Sequence, residues 1–507
     1  MWYNVVTNGV FMIDNKSTTE PMDVASDQTV HNSTTLTRQA KASLAKAKRA
    51  KNRKQKQPRP LTAEQQQANE KRLLDKRLLA IAREQKDIKT WYKLDNSALM
   101  YPMVARGPSN AVFSISVQLK KPVDPIALQY ALNSVYPRFP TICGTIKMGL
   151  FWPFIDKPAA PIVVQQQNRQ PCLPMKVDNK RSQIRVHYFA NKISVEFFHS
   201  ATDGQGGVTF VNSLLRCYFA QLGIACDKTN CYDHRDNPTL EEIRDNIPNV
   251  AVKHNPPPCP PPVRTRILKG TPIKNKTHTV IRGVCSATQL YNVAKSYGAT
   301  VTELLGAIQL MGLEKLTNVT NKEDKRPIRI LVPVNLRKWY NVETMRNFSN
   351  YIFFESLGGL TLEQTIAQIK EQSQRQLTDE YFRGMVSFNY NSGSNPILKF
   401  VPLWLKSKVV SMVVKGRGEG VVNCSTLSNL GRISAPPQFA DHVVRYEFTF
   451  GKPPKKTNKF AVATYNDVCV ITMNNAYAER DCEKFYFRKL AELGVDLTLE
   501  TEVWDEE

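Results

Sequence analysis

The sequence lacks the cysteine patterns of a disulfide framework or a zinc site. Its ten cysteines are spread over 507 residues, and none of them forms a Cys-x-x-Cys pair. The closest spacing, Cys226 to Cys231, has no second pair and no Cys-His cluster of zinc-like spacing beside it. Disulfide scaffolds and structural zinc domains concentrate their cysteines far more strongly. Free thiols in a reducing cytoplasm, and no metal site, are therefore predicted.

Long apolar runs are also missing. No stretch reaches the roughly 18 to 20 apolar residues that a helix needs to span a bilayer. The first residues, Met1–Val6, do not form the charged start and apolar region of a signal peptide. The sequence predicts a cytoplasmic location without a transmembrane segment, and it leaves association with a membrane surface open.

Acidic residues are absent from one long basic stretch. Between Arg38 and Arg59 the chain has ten Lys or Arg and no Asp or Glu. Residues 1–60 show almost no apolar periodicity, so they cannot bury enough surface to offset the entropy of ordering. We predict that residues 1–60 are a disordered basic tail. The formal net charge of +24 indicates an anionic partner, either nucleic acid, an acidic membrane surface or a phosphate-bearing substrate.

Two segments are candidates for contact with an anionic surface. One is the basic run at residues 38–59, and the other is residues 397–415, which mix large apolar residues with lysines and contain no acid. A helix of that composition suits a membrane interface. It suits equally well a position against the protein body with its lysines in solvent.

Length and proline content divide the rest of the chain. A chain of this length exceeds a single hydrophobic core. Residues 61–89 are predicted to be a helix or linker that leads into the folded body, and residues 90–253 to be an N-terminal lobe. Residues 254–272, which include seven prolines, can form neither a helix interior nor a central strand, so they are predicted to be an extended connection. Residues 273–507 are then a C-terminal lobe.

Local patterns predict strands and helices in both lobes. Alternation of apolar and polar residues predicts a strand over Val112–Leu119, and two runs at 185–189 and 192–197 predict a hairpin. A helix is predicted over residues 208–222. In the C-terminal lobe strands are predicted at 328–334 and 351–354. Three helix starts have the Ser/Thr-x-x-Glu/Gln form, at Ser286, Thr300 and Thr361. This mixture predicts an α/β or α+β fold.

His199 follows the second strand of the predicted hairpin, where a turn can expose its imidazole. Asp203 and Gly204 come four and five residues later. Histidine has an unperturbed pKa near neutrality, which suits a general base. A core histidine with a satisfied hydrogen bond is the alternative, and the local spacing alone favours neither. His187 is interpreted as such a structural histidine.

The segment from Phe198 to Gly204 resembles the His-x-x-x-Asp-Gly signature of a superfamily of CoA-dependent acyltransferases. That superfamily includes chloramphenicol acetyltransferase, plant acyltransferases and the condensation domains of peptide synthetases. Four further segments resemble its alcohol acetyltransferase branch in the same chain order, and the likeness extends over residues 89–500. These segments are Trp91–Asp95, Pro333–Arg337, Thr344–Phe348 and Ser425–Gly431.

The resemblance implies two chloramphenicol acetyltransferase-like lobes, each a mixed sheet with helices, and a tunnel at their interface. Acyl-CoA is then a co-substrate, with no tightly bound cofactor, and an alcohol is the acceptor. The acyl group, an acetyl group in the first instance, passes directly to the hydroxyl without an acyl-enzyme, and His199 is the general base.

The resemblance also implies roles for individual residues. Asp203 holds the loop that carries His199, with Arg337 as its partner, and Gly204 gives the chain room to turn. Ser428 or Asn429 donates a hydrogen bond to the tetrahedral oxyanion. A plain turn at these two residues is the alternative.

Some features depart from the family. Phe198 replaces the first histidine of the doubled His-His form typical of condensation domains and wax-ester synthases, which argues against both. The Asp-Phe-Gly-Trp element of plant relatives is absent, although Phe450-Gly451-Lys452 lies in a comparable late position. Two alternatives stay open: an amide-forming, condensation-type enzyme that uses carrier-bound thioesters, and a non-catalytic protein whose basic tail binds nucleic acid or anionic lipid.

Overall fold

The computed structural model describes residues 62–86, 91–99, 101–102, 111–273, 278–317, 325–393, 400–408, 423–454 and 457–502. The chain divides into two units, Met1–Asn69 and Glu70–Glu507, and the fold of the second unit is described below. The tail predicted at residues 1–60, with its basic run at 38–59, lies outside the described residues. Helix α1, Ala63–Ala82, falls within the segment predicted to be a helix or linker.

A five-stranded sheet forms the first lobe. It consists of β2 Val112–Leu119, β5 Gln165–Gln166, β6 Ile184–Phe189, β7 Lys192–Phe198 and β12 Val443–Phe450, in the order β12-β2-β7-β6-β5. The predicted strand β2 and the hairpin β6–β7 are confirmed. Strand β12 comes from the C-terminal part of the chain and pairs with β2. The C-terminal part of the sequence therefore contributes one strand to the first lobe.

Helices α2 Pro125–Val135 and α4 Gly204–Gln221 pack together in this lobe. A helix was predicted here, but α4 begins four residues before the predicted residue 208. The reason is the side chain of Asp203, which caps the helix by accepting a hydrogen bond from the backbone N–H of Gly206. Capping brings the glycines at the start of α4 into the helix. The short helix α3 Pro140–Cys143 and a three-stranded sheet complete the lobe. That sheet consists of β1 Trp91–Lys93, β4 Pro153–Asp156 and β3 Thr145–Met148.

A seven-stranded mixed sheet forms the second lobe, in the order β10-β9-β11-β13-β14-β8-β15. Its strands are β8 Thr279–Ser286, β9 Ile328–Asn335, β10 Ser349–Ser356, β11 Ser425–Arg432, β13 Asn458–Tyr465, β14 Val468–Asn475 and β15 Leu497–Thr501. Strand β11 is parallel to both of its neighbours, β9 and β13, and the other pairs are antiparallel. The strands predicted at 328–334 and 351–354 are confirmed within β9 and β10.

Three helices of the second lobe begin where the capping patterns predicted: α7 Ala287–Ser296, α8 Val301–Glu314 and α10 Leu362–Gln376. Two further helices, α11 Asp379–Gly393 and α12 Asp481–Glu492, follow along the chain. Thr300 and Thr361 form complete capping boxes with Glu303 and Gln364. Three short helices, α5 Leu240–Ile243, α6 Ile247–Val250 and α9 Arg337–Tyr340, lie in connections. The mixed α/β fold with two sheet-containing lobes is confirmed.

The proline-rich residues 254–271 form no helix or strand, and Pro272 makes a single bridge with Tyr477. The connection packs closely against helix α11. A Cβ atom added at Gly384 of α11 would lie 2.5 Å from the carbonyl oxygen of Pro258. Of the predicted surface segment 397–415, only residues 400–408 are described. Phe400 and Trp404 are exposed there, whereas Leu403 is buried. No helix among the described residues is long and apolar enough to cross a membrane.

Candidate active site

A cavity of about 1040 Å³ lies between the two sheets. Four strands of the seven-stranded sheet form one wall, and their register places most of the lining residues on the same face of the sheet. The residues on this face are Ser349 and Tyr351 of β10, Leu331, Pro333 and Asn335 of β9, Thr426, Ser428 and Leu430 of β11, and Lys459 of β13. Val334, Asn350 and Asn429, which alternate with them along β9, β10 and β11, also line the cavity. The five-stranded sheet contributes Phe113, Phe448 and Phe450, and His199 lies just beyond β7.

His199 lines the cavity and is oriented by Asn347. The Nδ1 atom of His199 lies 3.1 Å from the Oδ1 atom of Asn347. The Asn347 amide nitrogen donates to the carbonyl oxygen of Ser200 over 3.5 Å, which turns Oδ1 towards the imidazole. Since Oδ1 can only accept, Nδ1 carries the proton and Nε2 is left with its lone pair. The imidazole therefore has the tautomer that a general base requires.

Aromatic rings hold the imidazole from two sides. The ring of Tyr101 stacks on it with centroids 4.7 Å apart, and Phe113 meets it edge-on at 5.1 Å. Burial lowers the pKa of His199 below its usual 6.5, although its own backbone, the charge of Asp203 and the hydrogen bond to Asn347 act in the opposite direction. His199 is therefore neutral, and able to accept a proton, at physiological pH.

Asp203 is turned away from His199 and forms a buried ion pair with Arg337. The two carboxylate oxygens accept from Nη1 and Nη2 of Arg337 over 2.8 and 3.0 Å. Two backbone N–H groups, of Phe348 and Gly206, also donate to this carboxylate. Although burial opposes ionisation, these contacts hold the pKa of Asp203 below its usual range. The sequence-predicted residues Asp203 and Arg337 are thus in contact.

The guanidinium of Arg337 also holds the loop that carries Asn347. Its Nε donates to the carbonyl oxygen of Thr344, and Nη2 donates to that of Arg346, each over 2.8 Å. A contact between Nη1 and Asn335 at 3.2 Å completes the donor set. With the two bonds to Asp203, all five N–H groups of the guanidinium have acceptors. Residues 344–348, which we call the clamp loop, are thereby fixed beside the residues that follow β7.

The glycines after Asp203 allow close packing. A side chain at Gly204 would lie 2.5 Å from Leu430 of β11, and one at Gly206 would lie 2.9 Å from the carbonyl oxygen of Met345 in the clamp loop. Gly204 is not among the residues with positive φ. The absence of a side chain at Gly204 therefore admits Leu430, and the role implied by the resemblance, which is to give the chain room to turn, stays a prediction.

Ser428 and Asn429 follow one another on β11, and both line the cavity. The Asn429 side chain is already engaged: its amide nitrogen donates to Thr302 over 3.1 Å, and its oxygen accepts from the N–H of Gly431 over 2.8 Å. No hydrogen bond to the hydroxyl of Ser428 is found within the described part of the chain. Ser428 is therefore the better placed of the two to donate to a ligand.

Three residues of the site were not predicted from the sequence. Asn347 lies in one of the segments on which the resemblance rests, so that segment carried a signal for it. Tyr101 and Lys459 had no comparable signal, because stacking and cross-strand register bring them to the cavity. Phe198, by contrast, does not line the cavity, and it is buried in a small cluster with Val112.

Comparisons with known proteins place this fold. No protein-family model and no curated protein sequence matches the chain. Among solved structures, the first condensation domain of the calcium-dependent antibiotic synthetase, in complex with a substrate analogue, is similar with a TM-score of 0.55. The identity is 15%, over 81% of this chain and 100% of that chain.

Two further solved structures match comparable shares of this chain. TRI101 of F. sporotrichioides, in complex with coenzyme A and T-2, gives a TM-score of 0.51 at 13% identity, over 81% of this chain and all (100%) of that one. TRI3 trichothecene 15-O-acetyltransferase from Fusarium sporotrichioides gives 0.50 at 12% identity, over 79% and 94%. The chain thus has the same two-lobed fold as these condensation-domain and acetyltransferase structures, as the resemblance implied. Membership of the alcohol acetyltransferase branch stays a prediction.

Proposed function

We propose that this protein is an acyltransferase that moves an acyl group from acyl-CoA to an alcohol hydroxyl, with His199 as the general base. The observation that carries the proposal is the bond between His199 Nδ1 and Asn347, because it leaves Nε2 free to take a proton inside the cavity. The complex of the similar protein TRI101 with coenzyme A supports acyl-CoA as co-substrate.

The reaction needs one base and one oxyanion donor. Nε2 of His199 takes the proton of the acceptor hydroxyl while its oxygen attacks the thioester carbonyl. The resulting oxyanion accepts a hydrogen bond from the Ser428 hydroxyl, and collapse of the tetrahedral intermediate breaks the C–S bond. The CoA sulfur then takes the proton from Nε2, so the enzyme returns to its starting state. Asp203 and Arg337 keep the clamp loop in place and take no proton.

A thiol-release assay tests this proposal. The purified protein is incubated with acetyl-CoA or longer acyl-CoAs and a panel of alcohols, and free CoA is followed with a thiol reagent. His199→Ala is expected to lower turnover by about a hundredfold to ten-thousandfold. His187→Ala is the matched control, since His187 lies in the same hairpin beside Glu196 and does not line the cavity. No turnover with any pair, or undiminished turnover in His199→Ala, would contradict the proposal.

The second candidate is amide formation from a carrier-bound thioester. The similarity to a condensation domain favours it, because the same base can serve an amine. Phe198 stands where the doubled motif has its first histidine, which argues against it. Parallel assays with acyl groups on CoA and on a carrier protein discriminate: turnover of only the carrier-bound form with an amine acceptor would establish the second candidate. Membrane contact through residues 38–59 or 397–415, and a cytoplasmic location, also stay predictions.

A further inference from the structure

The charged groups of the cavity do not balance. Among the described residues, four charged side chains line it: Asp203, Arg337, Lys406 and Lys459. Asp203 and Arg337 neutralise each other through their bidentate pair. Neither lysine has a carboxylate within ion-pair distance among the residues that the structure describes. Beyond the neutral pair, the described part of the cavity wall therefore presents two positive charges and no negative one.

Lys406 has partners in the cavity wall. Its Nζ atom donates to the carbonyl oxygen of Phe151 over 2.9 Å and lies 3.4 Å from the centre of the Trp152 ring. A backbone acceptor and an aromatic face together stabilise an ammonium group. Lys406 therefore needs no ligand to account for its position.

Lys459 is different. It lies on β13 opposite Thr426 of β11. Ser428 comes two residues after Thr426, so its side chain is on the same face of the sheet. The Nζ atom of Lys459 is 5.2 Å from the centre of the Phe450 ring, and within the described ranges it makes no hydrogen bond and no ion pair. The titratable groups near it are not anionic: burial keeps the Cys172 thiol neutral by raising its pKa, burial lowers the pKa of His278 to about 4, and Lys452 is itself a cation.

A desolvated ammonium group without a counter-ion is unfavourable, and such a group in a cleft is a candidate for a functional site. We propose that Lys459 binds a carboxylate carried by the substrate, so that the enzyme selects an anionic acyl group or an anionic acceptor. This inference rests on the proposed function, which defines the two substrates as an acyl-CoA and an acceptor. A carboxylate fits because one ammonium group neutralises one charge, and the hydroxyl of Thr426 beside it offers a donor.

Binding measurements test the inference separately from catalysis. Isothermal titration calorimetry of the full chain compares two sets of matched probes. In one, malonyl-, succinyl- and adipoyl-CoA are compared with neutral acyl-CoAs of the same chain length. In the other, ω-hydroxy acids are compared with alkan-1-ols of the same length. The first set reports a carboxylate on the acyl group and the second a carboxylate on the acceptor.

Three variants assign the effect to Lys459. In the wild type, at least one carboxylate probe is expected to bind about 10- to 100-fold more tightly than its neutral partner, as for a charge-assisted hydrogen bond. Lys459→Met is expected to abolish that preference, and Lys459→Arg to retain most of it. Lys406→Met is the matched control, because it removes the other lysine of the cavity and should leave the preference in place. Circular dichroism verifies that each variant is folded.

The outcomes separate the two proposals. A carboxylate preference that Lys459→Met abolishes, in a protein that transfers no acyl group, supports the inference and contradicts the proposed function. Equal affinity for every matched pair overturns the inference, as does a preference that survives in Lys459→Met or disappears in Lys406→Met. Turnover of neutral substrates alone, with no carboxylate preference in binding, supports the proposed function and overturns the inference.

Discussion

Replacing Asp203 with asparagine removes one charge and leaves the shape of the side chain unchanged. Each carboxylate oxygen accepts two hydrogen bonds, one from Arg337 and one from a backbone N–H: Oδ2 accepts from Phe348, and Oδ1 accepts from Gly206. An asparagine NH₂ group can only donate. In either orientation of the amide, this group would face one N–H donor of Arg337 and one backbone N–H donor, and both of those hydrogen bonds would be lost. Breaking a buried ion pair from one side costs about 3–5 kcal/mol. We expect Asp203→Asn to lose about that much unfolding free energy.

Urea unfolding followed by tryptophan fluorescence measures this loss, and Asp95→Asn is the matched control. Asp95 is also buried beside an arginine, but among the described residues each of its oxygens accepts one bond, Oδ1 from the Ala98 N–H and Oδ2 from Nε of Arg346. Burial, together with neighbouring Asp245, raises the pKa of Asp95 to about 6, although Arg346 opposes the shift. Its charged form is therefore unfavourable in the folded state, and the asparagine variant should lose much less stability.

The pH dependence sharpens the comparison. Because the folded-state pKa of Asp95 is raised, its contribution to stability is complete below its unfolded pKa of 3.8 and is lost as the pH rises through 6. Asp95→Asn should therefore gain stability relative to the wild type as the pH rises from about 4 to about 6, and this gain should be constant above pH 6. Asp203→Asn should lose stability relative to the wild type. The pKa of Asp203 is lowered in the folded state, so its charged form contributes to stability at pH values above its unfolded pKa. Equal losses in the two variants at pH 7 would refute the assignment of Asp203 to the clamp loop.

Four further predictions concern the cavity. Asn347→Ala is expected to lower kcat by about tenfold to a hundredfold in the thiol-release assay, because the imidazole loses the partner that sets its tautomer and orientation. Since burial lowers the pKa of His199, the acidic limb of the kcat/KM profile should fall below pH 6.5, and Asn347→Ala should shift it to still lower pH. Ser428→Ala should lower kcat by about a hundredfold as an oxyanion donor is lost, whereas Asn429→Ala should change urea stability more than kcat. Burial lowers the pKa of Lys459 from 10.5 to about 8, so its penalty is complete below pH 8 and absent above pH 10.5. Lys459→Met should raise the unfolding free energy by about 3 kcal/mol at pH 7, and this gain should vanish above pH 10.5.

The parts of the fold that the sequence predicted are those encoded by neighbouring residues. The alternation in β2 and the capping boxes at Thr300 and Thr361 act within a few residues, so a local pattern suffices to find them. The start of α4 was predicted late because three glycines have low helix propensity, whereas the Asp203 cap and the packing of Gly206 against Met345 determine the true start.

The parts of the site that the sequence did not predict depend on distant pairing. His199 and Asn347 are 148 residues apart, and only the docking of the clamp loop brings them into contact. Lys459 reaches the cavity because β13 pairs in parallel with β11, a register that no pattern within β13 specifies. Asp203 and Arg337 were associated through the resemblance, and not through any physical signal linking the two segments.

The arrangement of these contacts indicates how the two lobes are kept in register at the catalytic histidine. His199 directly follows a strand of the five-stranded sheet, while Arg337 and Asn347 lie in the connection between β9 and β10 of the seven-stranded sheet. A second set of buried contacts joins the same two sheets, where Glu447 of β12 accepts from Lys192 of β7 and lies 3.2 Å from Nε of Arg282 on β8. Because charged groups in such contacts have strict geometry, a shift of one lobe would break both sets together. The base is therefore correctly protonated only when the lobes are docked, which makes the tautomer of His199 a property of the whole fold.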